Sequence, residues 1–242
     1  MNEAGTFDFM IVDAGNTRIK LGLFFQDTLV KNLSYATSEL EFLATFIAPY
    51  AKTPSLVSSV LDQDKTNFIL SLLKSPSLLS PEQVIFKNTY TTFETLGADR
   101  KANSVFMMEQ QKFPCLCIDI GTCIKFDYID EKGIYKGGSI APGLEMRFKA
   151  LNYFTGRLPI VTFQKDVSLI GDSTQNSILS GVIHGIENEI NGTIKRYEAL
   201  NSKITLFVTG GDAEKIDIQK ENCIFAQFLT LNGLYLIHKI NA

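Results

Sequence analysis

The chain has 242 residues, 45% of them hydrophobic and 20% charged, with a formal net charge of −3. Its mean hydropathy is +0.08 and its pI about 5.5. These values exclude wholesale disorder and leave room for a sizeable core in one large domain or two small ones. There is no broad basic field, so nucleic acid is not expected as a partner. The longest apolar runs, such as residues 21–25, fall far short of the ~20 residues that span a bilayer, so no membrane partner is expected either.

In chain order, the opening MNEAGTFDFMIVDAG lacks a basic region, and its apolar stretch runs into Asp13. It reads as a first strand rather than a secretion signal. Asp13-Ala14-Gly15-Asn16-Thr17 then forms a turn, and residues 21–25 a second strand. Residues 38–49 read as a helix, with Leu40, Leu43, Phe46 and Ile47 on one stripe. Residues 55–60 read as a strand, 67–73 as a helix, and 84–86 as a short strand. Gly97-Ala98-Asp99-Arg100 opens a helix over 99–111, which residues 112–114 end. Cys115 and Cys117 lie on an apparent strand that runs into the turn Gly121-Thr122, and a strand follows at 126–129. Residues 137–144 read as a Gly-rich turn feeding a helix. Residues 173–200 form the longest helical pattern, with Ile178, Val182, Ile186, Ile190 and Ile194 at spacing four. Residues 203–208 are a strand running into Thr209-Gly210-Gly211, and 230–240 a final helix. This alternation indicates α/β layers.

A weak internal repeat organises these elements. Residues 11–20 read IVDAGNTRIK and residues 117–125 read CIDIGTCIK. With Asn16 as one insertion, Asp, Gly, Thr, Ile and Lys coincide. Asp13 and Asp119 are 106 positions apart, the size of a small α/β domain. Two similar halves, 1–112 and 113–242, are therefore expected. The four cysteines are Cys115, Cys117, Cys123 and Cys223. Cys115 and Cys117 share a strand face in C-x-C spacing, which is no zinc pattern. They read as buried, reduced thiols of a cytoplasmic protein.

The chemistry sits in the turns. Gly15 removes a Cβ from a backbone that can then approach phosphate oxygens, and Asn16 and Thr17 add side-chain donors. Asp13 suits a hydrated Mg²⁺, and Lys20 adds positive charge. Asp119-Ile120-Gly121-Thr122 repeats the pattern, so that two hairpins facing one cleft would suit a nucleoside triphosphate. Thr209-Gly210-Gly211 would accept the adenosine. At the helix start, Asp99 could take a proton from a hydroxyl and Arg100 could clamp a carboxylate. Taken singly, each turn is equally an ordinary hairpin or a capped helix; the order of the set carries the reading. His184 and His238 have no ligand-spaced partner and read as structural.

With these residues in view, the chain resembles the type III pantothenate kinases, of the acetate and sugar kinase, heat-shock chaperone and actin superfamily. The resemblance implies two similar ribonuclease H-like (actin-like ATPase) halves with a nucleotide cleft between them. It implies a homodimer whose interface helps enclose pantothenate. The implied ATP contacts are Asp13, Ala14, Gly15, Asn16, Thr17, Arg18, Ile19, Lys20, Thr122, Gly210 and Gly211, with Mg²⁺ at Asp13. Pantothenate would meet Tyr90, Gly97, Ala98, Asp99, Arg100 and Thr174, with Asp99 as proton acceptor. Asp119 would hold a monovalent cation, K⁺ or NH₄⁺. The chain departs from the family after Gly121-Thr122. Small and hydroxyl residues usually follow there, and this chain has Cys123-Ile124-Lys125. The departure falls on the phosphate and cation side of the site.

The implied reaction moves the γ-phosphoryl of ATP to the primary alcohol of pantothenate, the first step towards coenzyme A. Alternatives are another small-molecule kinase of the same fold, or a non-enzymatic ATP-binding regulatory protein. The pair Asp99–Arg100 argues against the latter, because a switch has no need of a base and a carboxylate clamp. Gly181 and Gly185, with the isoleucine stripe, suggest a homodimer through residues 173–200 or their neighbours.

Overall fold

A computed structural model describes residues 7–200, 203–219 and 223–242. The chain divides into two units. One comprises Met1–Phe86, Thr92–Phe106 and Leu229–Ala242, the other Lys87–Thr91 and Met107–Phe228.

The first unit opens with β1 (Phe9–Ala14), buried throughout except at Asp13. A three-residue turn, Gly15 to Thr17, leads to β2 (Arg18–Phe25), antiparallel to β1. Gln26 and Asp27 then turn the chain with φ of 48° and 63° into β3 (Thr28–Ala36). Positive φ at both central residues matches the twist of a tight hairpin. Asp27 is held there by hydrogen bonds from Tyr235 Oη at 2.8 Å and Lys239 Nζ at 2.5 Å. The helix expected over 38–49 is broken into a 3₁₀ turn (Thr37–Phe42), one short α-helix, α1 (Leu43–Ile47), and a second 3₁₀ turn (Ala48–Tyr50). Glu39 leaves helical geometry at φ −112°, ψ 33°, and Pro49 supplies no N–H for a further turn. Next come β4 (Ser55–Ser59) and α2 (Gln63–Ser71), which starts four residues earlier than the apolar pattern suggests. The reason is the cap: Asp62 accepts the Lys65 N–H at 2.9 Å. The edge strand β5 (Pro76–Leu78) lies in a Ser/Pro-rich stretch that carries no strand signal. Residues 84–86, expected as a strand, form none, although Val84 is buried. Helix α3 (Ala98–Glu109) follows. The sheet order is β3-β2-β1-β4-β5, with β4 and β5 parallel to β1.

The second unit repeats this plan. It contains β6 (Cys115–Ile120), β7 (Cys123–Ile129), β8 (Tyr135–Pro142), α4 (Leu144–Tyr153), α5 (Thr174–Leu200), β9 (Thr205–Thr209) and β10 (Ile224–Phe225). Its sheet order is β10-β9-β6-β7-β8, with β9 parallel to β6 and β10 parallel to β9. Strand for strand, β6, β7, β8, β9 and β10 correspond to β1, β2, β3, β4 and β5. The Gly-rich stretch expected as a turn is mostly strand β8, and only Gly143 acts as the N-cap of α4. Glycine suits this strand because the β7 backbone lies close. A Cβ at Gly138 would stand 1.8 Å from the Phe126 carbonyl oxygen. Ser173 caps α5, its Oγ accepting the Asn176 N–H at 3.2 Å. The stripe Ile178, Val182, Ile186, Ile190 and Ile194 is buried with Leu116, Ile118, Phe126 and Leu206 of this unit's own sheet.

The last helix, α6 (Leu229–Asn241), belongs with the first unit, although a cut near residue 112 assigns it to the second half. Its Tyr235 ring stacks on Phe24 with centroids 3.9 Å apart and planes 4° apart. Gly233 lets it lie against α3, where a Cβ would be 2.0 Å from the Ala102 carbonyl oxygen.

Candidate active site

The two acidic hairpins occupy the same corner of their two sheets. Asp13, the penultimate residue of β1, lies opposite Lys20 of β2 and beside Ser58 of β4. Asp119, the penultimate residue of β6, lies opposite Lys125 of β7 and beside Thr209 of β9. The turns differ by the one residue that the repeat requires, Gly15 to Thr17 against Gly121-Thr122. Each is closed by its glycine: Gly15 N–H donates to the Arg18 carbonyl at 3.0 Å, and Gly121 N–H to the Cys123 carbonyl at 3.1 Å.

In the first unit, Thr37 fastens the turn. Its Oγ1 donates to the Gly15 carbonyl at 2.8 Å and its N–H to the Thr17 carbonyl at 3.1 Å. Asn16 and Thr17 are exposed, and Asp13, Gly15 and Lys20 half-buried. Ala14 and Ile19 point into the core, so of the expected ATP contacts these two can offer only backbone. Arg18 is engaged by β3, donating to Ser34 Oγ at 2.5 Å.

At the start of α3, Asp99 folds back on its own helix. Its Oδ1 accepts the Arg100 N–H at 2.8 Å. This needs Gly97, since a Cβ there would sit 2.6 Å from that oxygen. Arg100 is 5% exposed and Lys101 2%. The Lys101 ammonium lies 4.6 Å from the centre of the Phe93 ring. Burial lowers the pKa of Lys101, with Glu94 opposing. Sequence reasoning missed Lys101, because a lysine after Asp-Arg in a first helical turn looks like a solvated face.

In the second unit the strand ends and turns gather closely. The Gly143 N–H donates to the Thr122 carbonyl at 3.1 Å and the Asp212 N–H to the Ile120 carbonyl at 2.9 Å. Gly210 has φ +104°, and a Cβ on it would be 2.1 Å from the Ile120 carbonyl oxygen, so the residue must be glycine. Thr122 and Gly211 are exposed, as is Thr174, the first residue of α5. Tyr90 lies against β8. Its ring contacts the Gly137 backbone and is tilted on Tyr135, with centroids 5.9 Å apart. Tyr90 thus belongs to the second unit, whereas Gly97 to Arg100 belong to the first. A groove of about 330 Å³ along α5, edged by His184, Glu187, Asn191 and Lys195, includes none of the expected site residues.

The carboxylate of Asp119 carries an ion pair. Lys125 Nζ donates to Asp119 Oδ2 at 2.7 Å, with the two side chains 17% and 12% exposed. The register explains it, because residues directly opposite in an antiparallel pair have neighbouring Cβ atoms. For a divalent cation, no group of three or more Cys, His, Asp or Glu among the described residues could hold it unaided. A half-exposed Asp13 at a strand end fits Mg²⁺, which keeps most of its waters and takes one or two carboxylates.

Two sheets of one topology, each with an aspartate and a Gly–Thr turn at the same corner, define an α/β protein of the ribonuclease H-like, actin-like ATPase class. Solved structures agree on the fold. One named for the Baf family of transcriptional activators, from Campylobacter jejuni, superposes with a TM-score of 0.64 at 22% identity, covering 96% of this chain and 98% of that one. The ethanolamine utilization protein EutJ of Carboxydothermus hydrogenoformans gives 0.53 at 14% identity, covering 96% and 90%. A family model described as type III pantothenate kinase matches residues 9–196. The type III pantothenate kinase of Christiangramia forsetii is 42% identical over 246 residues, covering 96% of this chain and 98% of the relative. That of Bacteroides fragilis is 38% identical over 241 residues, with the same coverage. The chain belongs to the type III pantothenate kinase family.

Proposed function

We propose that this chain transfers the γ-phosphoryl group of ATP to the primary alcohol of pantothenate, the first step of coenzyme A biosynthesis. The repeated hairpin supports this reading best. Asp13 and Asp119 hold equivalent places in the two sheets, each beside a glycine turn whose exposed threonine brings a hydroxyl suited to phosphate. Phosphoryl transfer asks chiefly for positioning and charge neutralisation. The turn Gly15 to Thr17, with Lys20 behind it, would take phosphate oxygens, and Thr122 and the Gly210-Gly211 turn the rest of the nucleotide. Mg²⁺ bound at Asp13 through water would supply charge for the phosphates.

Asp99 is the proposed base. Its Oδ1 accepts the Arg100 N–H, which holds the carboxylate at the start of α3, where it would receive the alcohol's proton. Gly97, Ala98, Arg100, Tyr90 and Thr174 are the proposed pantothenate contacts. We place the enzyme in the cytoplasm, in keeping with its four free cysteines. Among the described residues no helix is long and apolar enough to cross a membrane.

A homodimer through α5 also belongs to this proposal. The isoleucine stripe cannot serve it, being covered by the unit's own sheet. The glycines can: Cβ atoms at Gly181, Gly185 and Gly192 would meet nothing within 4 Å.

The test is ATP, Mg²⁺ and a panel of alcohols that includes pantothenate, with products weighed by mass spectrometry. Phosphopantothenate is the expected product. Transfer to another alcohol in its place would establish the other-kinase reading. ATP binding without transfer to any alcohol would establish the regulatory one.

A further inference from the structure

The family resemblance assigns Asp119 to a monovalent cation, and the geometry at that carboxylate does not fit one. Asp119 Oδ2 already accepts a hydrogen bond from Lys125 Nζ at 2.7 Å. Neither side chain is as much as one-fifth exposed, so dissolved salt screens the pair only weakly. We propose that the Lys125 ammonium is a built-in replacement for the monovalent cation, and that ATP binding and turnover by this enzyme are independent of K⁺ and NH₄⁺.

The argument is one of charge and tethering. A carboxylate beside the Gly121-Thr122 turn, left bare, would repel nucleotide phosphates. One positive charge held against it removes the repulsion, and a diffusing ion or a lysine ammonium supplies the same charge. The lysine has two advantages here. It stands directly across the hairpin from Asp119, so the strand register delivers it. Being covalently attached, it is present at a fixed effective concentration whatever the salt outside. The residues after Gly-Thr point the same way. The family's usual small and hydroxyl side chains offer oxygen to an ion, whereas Ile124 is fully buried and apolar and Lys125 brings a cation of its own.

The inference rests on the kinase reading, so the experiment separates the two. Affinity for Mg·ATP is measured by calorimetry without any alcohol, in potassium, ammonium and tetramethylammonium chloride at equal ionic strength. Pantothenate turnover is measured in the same three salts, and thermal stability without ligand. Equal ATP affinity, turnover and melting temperature across the salts are expected. A loss of about tenfold or more in affinity or turnover in tetramethylammonium, the scale of one charge-assisted contact, overturns the proposal. Absence of turnover in every salt, with equal ATP affinity, refutes the pantothenate reading and leaves this one standing. Lys125→Met keeps the side chain's length and removes its charge. It should weaken ATP binding in tetramethylammonium about tenfold, with partial recovery in potassium. A Lys125→Met protein that folds and binds ATP like its parent in tetramethylammonium also overturns the proposal. If the variant does not fold, the salt comparison on the unmodified protein still decides.

Discussion

Asp99 begins its helix with one carboxylate oxygen tied to the Arg100 N–H and the glycine before it making room. Asp99→Asn keeps that shape and removes the charge. We expect kcat to fall ~10²-fold or more, the scale for losing a general base, with ATP affinity unchanged by calorimetry. Full kcat in this variant would leave only a helix cap. Arg100 is buried where the sequence suggests an open clamp. Arg100→Ala should therefore lower the melting temperature as well as raise the KM for pantothenate, since its aliphatic stem packs. The cysteines give a prediction independent of substrate. Cys115 and Cys117 are buried, and Cys123 and Cys223 half-buried. Burial pushes the Cys115 thiol up to about 12 and Cys117 well above its ordinary value. Thiolate is the reactive form, so iodoacetamide at about pH 8 should leave both unlabelled in the native protein and label all four cysteines after denaturation. Native labelling of Cys115 or Cys117, read by peptide mapping, would refute this placement.

Elements were legible where one residue forces the local backbone. Asp-x-Gly at a strand end gave both hairpins, and the extra Asn16 appears as one extra turn residue. Periodicity alone did worse. Residues 38–49 carry a helical stripe, yet Glu39 and Pro49 break it into short turns. Gly137 and Gly138 look like turn residues but sit in β8, because the nearness of the β7 backbone is invisible in a single sequence. That closeness predicts that Gly138→Ala costs several kcal/mol or prevents folding, whereas Gly156→Ala, with open space around it, changes stability by no more than ~0.5 kcal/mol. Denaturant titration of the two variants compares them directly. On α6, His238 stacks on Phe9 with ring centroids 3.6 Å apart. Burial, and then Lys239, hold its pKa below the ordinary 6.5. The unfolded chain therefore binds the proton more readily. This contribution is complete above pH 6.5 and is lost as the pH falls through 6.5 towards the folded value. His238→Gln should flatten the fall in melting temperature between about pH 7.5 and 5.5; an unchanged fall assigns it to other groups.

At the scale of the molecule, five identities in two short turns announced a duplication that the matching sheet orders display in full. The destination of α6 was not legible. Its period shows a helix with an apolar face, but nothing local tells that face to pack on β1, β2 and β4 rather than on the sheet that precedes it. The same blindness affected α5. Its periodicity suggests isoleucines that face a partner, and they face their own sheet. What remains for a partner is a line of small residues, Gly181, Gly185 and Gly192, each with open space where a Cβ would go. Inside one chain such glycines weaken a helix by about 0.8–1 kcal/mol apiece relative to alanine. A close helix–helix approach in a dimer would give them a purpose. The two accounts predict opposite signs. If α5 is solvated, Gly181→Leu raises or preserves the melting temperature, and sedimentation is the same for parent and variant. If a second copy packs on this face, the side chain collides with it, and Gly181→Leu shifts the protein from dimer to monomer at micromolar concentration. We expect the second outcome, with pantothenate turnover falling alongside dimer content. A parent protein that sediments as a monomer at that concentration removes the dimer from the proposal.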